Sequence, residues 1–366
     1  MNAIHEQRFI ETKKAMNSKN IDCLVLCNSP NLYYLTGYSP KKDERLQIAF
    51  ITADGKSVMV VPMLYSMNAE KNCNIKDQRI WRDGDNLYSF IDKIADELGI
   101  KGGRIGIDSI MEFMQFDTIL KSSVKSEFIN ANSVFKQLRM KKSPEEIELM
   151  AQSAKLSDDV MDMCIKACLD GKTEAQIKNL VEYELTDKGM AGGFSNLIAS
   201  GPNSSSPHHV SGDRIPQKGD CIYLDLGGAY KKYWSDITRT IHFGNPSDKF
   251  IKNYEYVKEA QRLAKEAVKP GVSANDVHMT AVKYFEKKGV NEYYLHRTGH
   301  GIGLEGHEDP YIAKGNDLIL EEGMTFSIEP GLYYKNEFGI RIEDIVVVTK
   351  DGHKTLNHFD RELIII

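Results

Sequence analysis

Two acidic residues set into neighbouring β-prone runs constrain this chain more than any other feature. In CIYLDLGGAYKKYWSDITRT (221–240), Asp225 lies in an alternating apolar run and Asp236 in a second run ending in Thr238, Arg239 and Thr240. Gly227-Gly228-Ala229-Tyr230-Lys231-Lys232 between them reads as a turn, so the segment predicts a β-hairpin. A two-residue loop at Tyr230-Lys231 would set the two carboxylates directly opposite each other. Like charges so placed destabilise a sheet, and a carboxylate in apolar surroundings favours its neutral form unless a cation is near. The hairpin therefore calls for a positive group. Arg239 is one candidate, and a metal ion shared by several carboxylates is another.

The chain then repeats the arrangement. Helical periodicity over 144–168 and 173–188 precedes the stretch with Asp225 and Asp236, and helical periodicity over 248–267 and 273–288 precedes a second β-rich stretch that reaches residue 349. There, in FSIEPGLYYKNEFGIRIEDIVVV, a hairpin centred on Asn336 would oppose Glu329 and Glu343. The repeat rests on the order of elements, not on residue identity. Two opposed pairs in matching halves predict one shared site with four acids.

At 366 residues the chain exceeds what one core usually supports, so two domains are expected. Ser143-Pro144-Glu145-Glu146 is a strong helix start with a capping box, and the boundary is placed near residue 136. Residues 1–135 read as an α/β domain: an amphipathic helix over 4–19, a strand over 21–27, a hairpin over 47–62 turning at Asp54-Gly55, a helix over 87–98 and a strand over 103–108. Residues 136–366 form the second domain, and the whole is of the α+β class. The 47 basic and 52 acidic side chains give a net charge of −5 without a basic block, which argues against nucleic acid as a partner. No run is long enough to span a membrane, and the polar N-terminus is unlike a signal peptide. The six cysteines are scattered, in keeping with reduced thiols and a cytoplasmic location. Cys164 and Cys168 have a ligand spacing but no accompanying histidine, and are read as buried small hydrophobes.

Four carboxylates usually recruit a nitrogen ligand, and LHRTGHGIGLEGHEDP offers His296, His300 and His307. Glycines at 299, 301 and 303 would let the backbone around His300 approach a ligand site. Four oxygens and one imidazole without a thiolate suit manganese, cobalt, zinc or iron, and two such ions bridged by carboxylates make a hydrolytic centre. Spacing alone does not name the reaction.

GDCIYLDLGGAYKKYWSDITRT, RTGHGIGLEGHEDP and EPGLYYKNEFGIRIED, in that order, resemble the creatinase, prolidase, aminopeptidase P and methionine aminopeptidase family, whose catalytic domain has the pseudo-twofold pita-bread fold. ASGPNSSSPHH (199–209) and NLYYLTGY (31–38) resemble its prolidase branch. The resemblance implies that Asp225 binds one metal, Asp236 and Glu343 bridge two, and His300 with Glu329 bind the other. It implies a proton-shuttling Glu329, with a water acidified by the two cations attacking the scissile carbonyl. His208 and His307 would position substrate and stabilise the oxyanion, His296 would lie near the proline subsite, and Arg341 would hold carboxylates or substrate. The expected cofactors are two divalent ions, manganese or cobalt ahead of zinc or iron. The expected substrate is a small peptide with proline at its second position, cleaved by a homodimer. A prolidase acting on Xaa-Pro dipeptides is the first reading, an Xaa-Pro aminopeptidase acting on longer peptides the second, and another metal-dependent hydrolase or lyase of this fold a third. A peptide-binding module is disfavoured because all five ligands are present.

Each residue also has a plainer reading. Asp236 with Arg239 and Glu343 with Arg341 could form ordinary ion pairs, His307 could pair with Glu308, and His209 could sit in a surface pair. Gly306 and His209 depart from the prolidase pattern on the substrate side of the site.

Overall fold

The computed structural model describes residues 3–122, 125–192 and 196–366, which form two compact units, Met1–Leu138 and Arg139–Ile366. The first unit runs α1 (Ala3–Ser18), β1 (Cys23–Leu26), α2 (Pro30–Thr36), β2 (Ile48–Thr52), β3 (Ser57–Pro62), α3 (Ser66–Asn72), β4 (Asp77–Trp81), α4 (Leu87–Leu98), β5 (Arg104–Ile107), α5 (Phe113–Ser122) and β6 (Glu127–Asn130), and ends within α6 (Asn132–Met140). Its six strands are ordered β4-β3-β2-β1-β5-β6. The β2–β3 hairpin turns at Gly55, whose φ of +101° needs a residue without a Cβ. Helix α1 departs from a simple amphipathic pattern. Its buried stripe is Arg8, Thr12 and Met16, while Ile10 is exposed.

The second unit opens with α7 (Pro144–Ala167), α8 (Glu174–Asp187), β7 (Met190–Ala191), β8 (Leu197–Ser200), β9 (Cys221–Tyr230) and β10 (Tyr233–His242). It continues with α9 (Asp248–Glu266), α10 (Ala274–Lys288), β11 (Gly299–Gly301), β12 (Glu308–Ile312), β13 (Thr325–Ile328), β14 (Gly331–Tyr334), β15 (Phe338–Arg341), β16 (Asp344–Val348) and β17 (His353–Thr355). Helix α7 starts as expected: Ser143 caps Glu146 N–H, and the Glu146 side chain reciprocates. Two apolar clusters mirror the two halves. One packs Val160, Met161, Ile177 and Val181 on Leu224, Ile237 and Ile241, and the other packs Val257, Val277 and Phe285 on Phe326, Ile328 and Val346. Cys164 and Cys168 lie in the first cluster as free, buried thiols.

The β9–β10 hairpin corrects one expectation. Its loop is Lys231-Lys232, both at positive φ (47° and 76°), and Tyr230 pairs with Tyr233. Two consecutive left-handed residues make the turn whose twist matches the strands. Asp236 therefore faces Gly227 and Asp225 faces Thr238, so the two acids are diagonal instead of opposed. The offset is two residues, which leaves both on one face of the sheet. In the second half the expected register holds on both sides of the acids: Gly331 pairs with Arg341 and Ile328 with Asp344. Glu329 and Glu343 thus meet at one level between the two ladders.

Candidate metal centre

The two halves join at β10. Glu343 N–H donates to Thr238 O (3.1 Å), and Arg341 N–H donates to Thr240 Oγ1 (3.0 Å). This stitching carries the acids of the second hairpin to those of the first. On β9, Tyr223 and Asp225 share a face, as do Asp236, Thr238 and Thr240 on β10.

The His300 strand is brought in by close packing. A Cβ on Gly299 would lie 1.8 Å from Ser327 O, and one on Gly301 2.2 Å from Asp309 O. These glycines therefore let β11 press between β13 and β12; their closeness is to neighbouring strands and not to a ligand. His300 Nε2 then lies 3.4 Å from Glu329 Oε1 and 3.9 Å from Asp236 Oδ2, while its Nδ1 bonds Gly301 O at 3.1 Å. Ligand atoms of Asp236, His300 and Glu343 all lie within 4.8 Å of one another, the spacing of a metal-binding cluster.

All five expected ligands line one cavity of about 780 Å³, together with His208, His296, His307 and Arg341. Its charge balance is incomplete. Arg341 donates to Asp225 Oδ2 and to Thr238 Oγ1 (3.1 Å), and lies 3.9 Å from both Glu329 and Glu343. Thr238 Oγ1 donates to Glu343 Oε2 at 2.5 Å. One arginine is thus set among four carboxylates. Arg239, the other candidate, faces away: it binds Asp344 (2.8 Å) and donates to Glu343 O (2.6 Å).

Asp225 Oδ1, Asp236 Oδ1 and Glu343 Oε1 are buried without a hydrogen-bond partner. Burial, with Glu343, Asp225 and Glu329 nearby, pushes the Asp236 carboxyl well above its ordinary range. Burial and the charges of Glu329 and Asp225 do the same to Glu343. Glu329 is pushed up to about 7, chiefly by burial. Burial and the neighbouring His307 hold His300 well below 6.5, as a neutral donor. Orphaned carboxylate oxygens, a neutral imidazole and surplus negative charge fit a divalent-cation site.

The histidines divide by surroundings. The His307 ring stacks on His300 with centroids 3.7 Å apart, and its Nδ1 faces Arg297 Nη2 at 3.4 Å. A guanidinium only donates, so this contact favours the His307 tautomer protonated on Nε2. His296 is pushed down to about 3, mainly by burial, and its Nε2 meets Tyr333 OH at 2.9 Å. His208 is exposed at the cavity wall. His209 is in no surface pair: it bonds the fully buried Glu174 at 2.8 Å. Glu308 does not pair with His307 either, being held by Lys142 (2.8 Å) and Arg139.

Four residues about the cavity escape a motif-based reading: Tyr223, Thr238, Arg297 and Tyr333. Arg341 lies over the Tyr223 ring, 4.6 Å from its centroid. Strand alternation around Asp225 and Asp236 points to Tyr223 and Thr238, each two residues from an expected ligand. No comparable signal marks Arg297 or Tyr333.

Residues 148–350 match Metallopeptidase family M24, and residues 8–141 match the Creatinase/Prolidase N-terminal domain. The chain is 35% identical over 351 residues to an Xaa-Pro dipeptidase of Pyrococcus horikoshii, covering 95% of this chain and 96% of that one. The crystal structure of a dipeptidase from Pyrococcus horikoshii OT3 superposes with a TM-score of 0.94 at 38% identity, covering 98% of this chain and 100% of the other. A recombinant prolidase from Thermococcus sibiricus gives 0.93 at 34% identity, with 100% of each chain covered. The protein belongs to metallopeptidase family M24, with a creatinase/prolidase-type domain ahead of its pita-bread catalytic domain.

Proposed function

We propose that the protein is a prolidase, hydrolysing the Xaa-Pro bond of dipeptides with two divalent ions held by Asp225, Asp236, His300, Glu329 and Glu343. The observation that carries this reading is the convergence of four buried carboxylates and one neutral imidazole in one cavity, with three carboxylate oxygens unpartnered. The Xaa-Pro dipeptidase name of a full-length relative supports the substrate class. Oxygen-rich donors without thiolate favour manganese or cobalt. When bound, such ions supply Lewis acidity that polarises the scissile carbonyl and makes water nucleophilic near neutral pH.

The chain's own residues do the remaining work. Asp225, Asp236, His300, Glu329 and Glu343 would hold the two ions. Thr238 and Arg341 orient Glu343 and Asp225 by hydrogen bonds. Glu329 accepts a proton from the attacking water and returns it to the departing proline nitrogen. His307, neutral and protonated on Nε2, donates with His208 to the carbonyl oxygen as it gains negative charge. His296, neutral and fixed by Tyr333 and its own bond to Arg297 O (2.8 Å), borders the proline ring. A homodimer in the cytoplasm completes this reading, and six buried free thiols accord with a reducing compartment.

The test is metal-dependent hydrolysis of Ala-Pro against Ala-Gly. Cleavage of Ala-Pro alone supports the proline-specific reading, and equal rates on both contradict it.

A further inference from the structure

His208 and His307 share the cavity, but they are held differently. The His307 ring stacks on His300 and meets Arg297, whereas His208 is exposed and makes no hydrogen bond, ion pair or ring contact among the described residues. An exposed side chain without contacts of its own keeps its rotamer freedom. Its place is set by the chain that carries it.

That chain is the loop leaving β8 at Gly201, and it is gripped by Glu174, the first residue of α8. The Glu174 side chain is fully buried. At the start of the loop its Oε1 accepts from Ser200 N–H (2.7 Å), Ser200 Oγ (2.8 Å) and Asn203 Nδ2 (3.0 Å), and beyond His208 its Oε2 accepts from Gly212 N–H (3.2 Å). Between these ties, one side chain among the described residues 206–210 bonds the rest of the unit: His209, whose Nε2 lies 2.8 Å from Glu174 Oε2. The backbone bonds of this stretch stay within the loop, from Ser206 N–H to Asn203 O and from His209 N–H to Ser206 O.

Burial would raise the Glu174 carboxyl, but Ser200, His209 and Asn203 bring it below its ordinary range, so His209 bonds an anion. A carboxylate only accepts, which places a His209 proton on Nε2. The N-terminus of α8 favours the same negative charge.

We propose that His209 is a positioning residue: bonded to the buried carboxylate of Glu174, it fixes the backbone from which His208 enters the cavity. The proposal rests on the Xaa-Pro dipeptidase reading, in which His208 donates to the carbonyl oxygen, and adds to it the pair that places this donor. A group that acts in the transition state loses much of its effect when misplaced by about 1 Å.

The test is steady-state hydrolysis of Ala-Pro by the metal-loaded full-length protein. His209→Ala loses roughly 10–100-fold in kcat with KM little changed, the pattern of an interaction made in the transition state. His209→Gln, which keeps an N–H donor for the same carboxylate, regains most of that loss. In a double-mutant cycle, His208→Ala/His209→Ala is no slower than His208→Ala, because the tether has nothing left to place. Calorimetric titration with manganese gives every variant the parental stoichiometry. Parental kcat in His209→Ala, a loss that adds in full to that of His208→Ala, or lost manganese binding in His209→Ala would each overturn the proposal while leaving the Xaa-Pro reading standing. A manganese-loaded parent that cleaves no Ala-Pro would remove that reading and the proposal with it.

Discussion

Glu343 and Asp344 are neighbours in the chain, both buried, and look to opposite sides of the sheet. Asp344 meets Arg239 at 2.8 Å, Lys265 at 2.9 Å and Arg361 at 2.5 Å. Burial would raise its carboxyl, but these cations hold it far below its ordinary range. Among the described residues Glu343 has one cation, Arg341 at 3.9 Å, and its carboxyl is pushed well up by burial and by Glu329 and Asp225. One side of the strand carries its own neutralising charge, and the other is built to receive it.

This contrast predicts a pH effect in the metal-free protein. Glu329, raised to about 7 in the folded state, stabilises the fold fully below the ordinary glutamate pKa, near about 4.3, and that contribution is lost as pH rises through about 7. His296 and His300, both lowered by burial, titrate in the opposite sense, so the informative quantity is a difference. The thermal midpoint of stripped Glu329→Gln minus that of the stripped parent should grow between pH 5 and 7.5. A difference that is flat or shrinks would contradict the buried, uncompensated state of Glu329.

The proposed ligands and the proposed positioning residues should separate in a metal titration. His300→Ala and Asp236→Ala lose more than about a hundredfold in metal affinity, beyond the 10–100-fold typical of outer partners, and lose nearly all turnover. His307→Ala keeps metal and loses roughly a hundredfold or more in kcat. Full turnover in His307→Ala would remove its assigned role.

Thr238→Val deletes the hydroxyl that donates to Glu343 and accepts from Arg341 Nε. Manganese affinity, measured by calorimetry, should fall roughly 10–100-fold with the fold intact. Unchanged affinity would mean that Glu343 needs no such orientation.

On the other face, Asp344→Asn leaves Arg239, Lys265 and Arg361 without their shared anion. Denaturant unfolding should show a loss of about 3–5 kcal/mol, the cost of breaking a buried charge network. A loss below ~1 kcal/mol would show that the network relaxes.

Much of this was legible in the sequence because it is local. The capping box at Ser143, the Asn336-centred hairpin and the helix pairs of each half follow from nearby residues. The four acids and one imidazole that share the cavity were legible as well, because strand alternation fixes faces. The β9–β10 register was not. Whether Tyr230-Lys231 or Lys231-Lys232 forms the loop depends on which residues accept positive φ, and no glycine or asparagine sits there to mark it. Arg239 shows the same limit. Its position beside Asp236 suggested a clamp, but alternation turns it to the opposite face, where Asp344 waits. Arg297 and Tyr311 lie fourteen positions apart, and only the β11–β12 fold-back makes them stack.

The central claim is a metal-dependent dipeptidase, and its most direct test is hydrolysis of Ala-Pro and Ala-Pro-Ala by stripped protein with and without manganese or cobalt. Ala-Pro should be cleaved only after metal is restored, and Ala-Pro-Ala far more slowly. Preference for the tripeptide, or no cleavage of Ala-Pro with metal demonstrably bound, would contradict it.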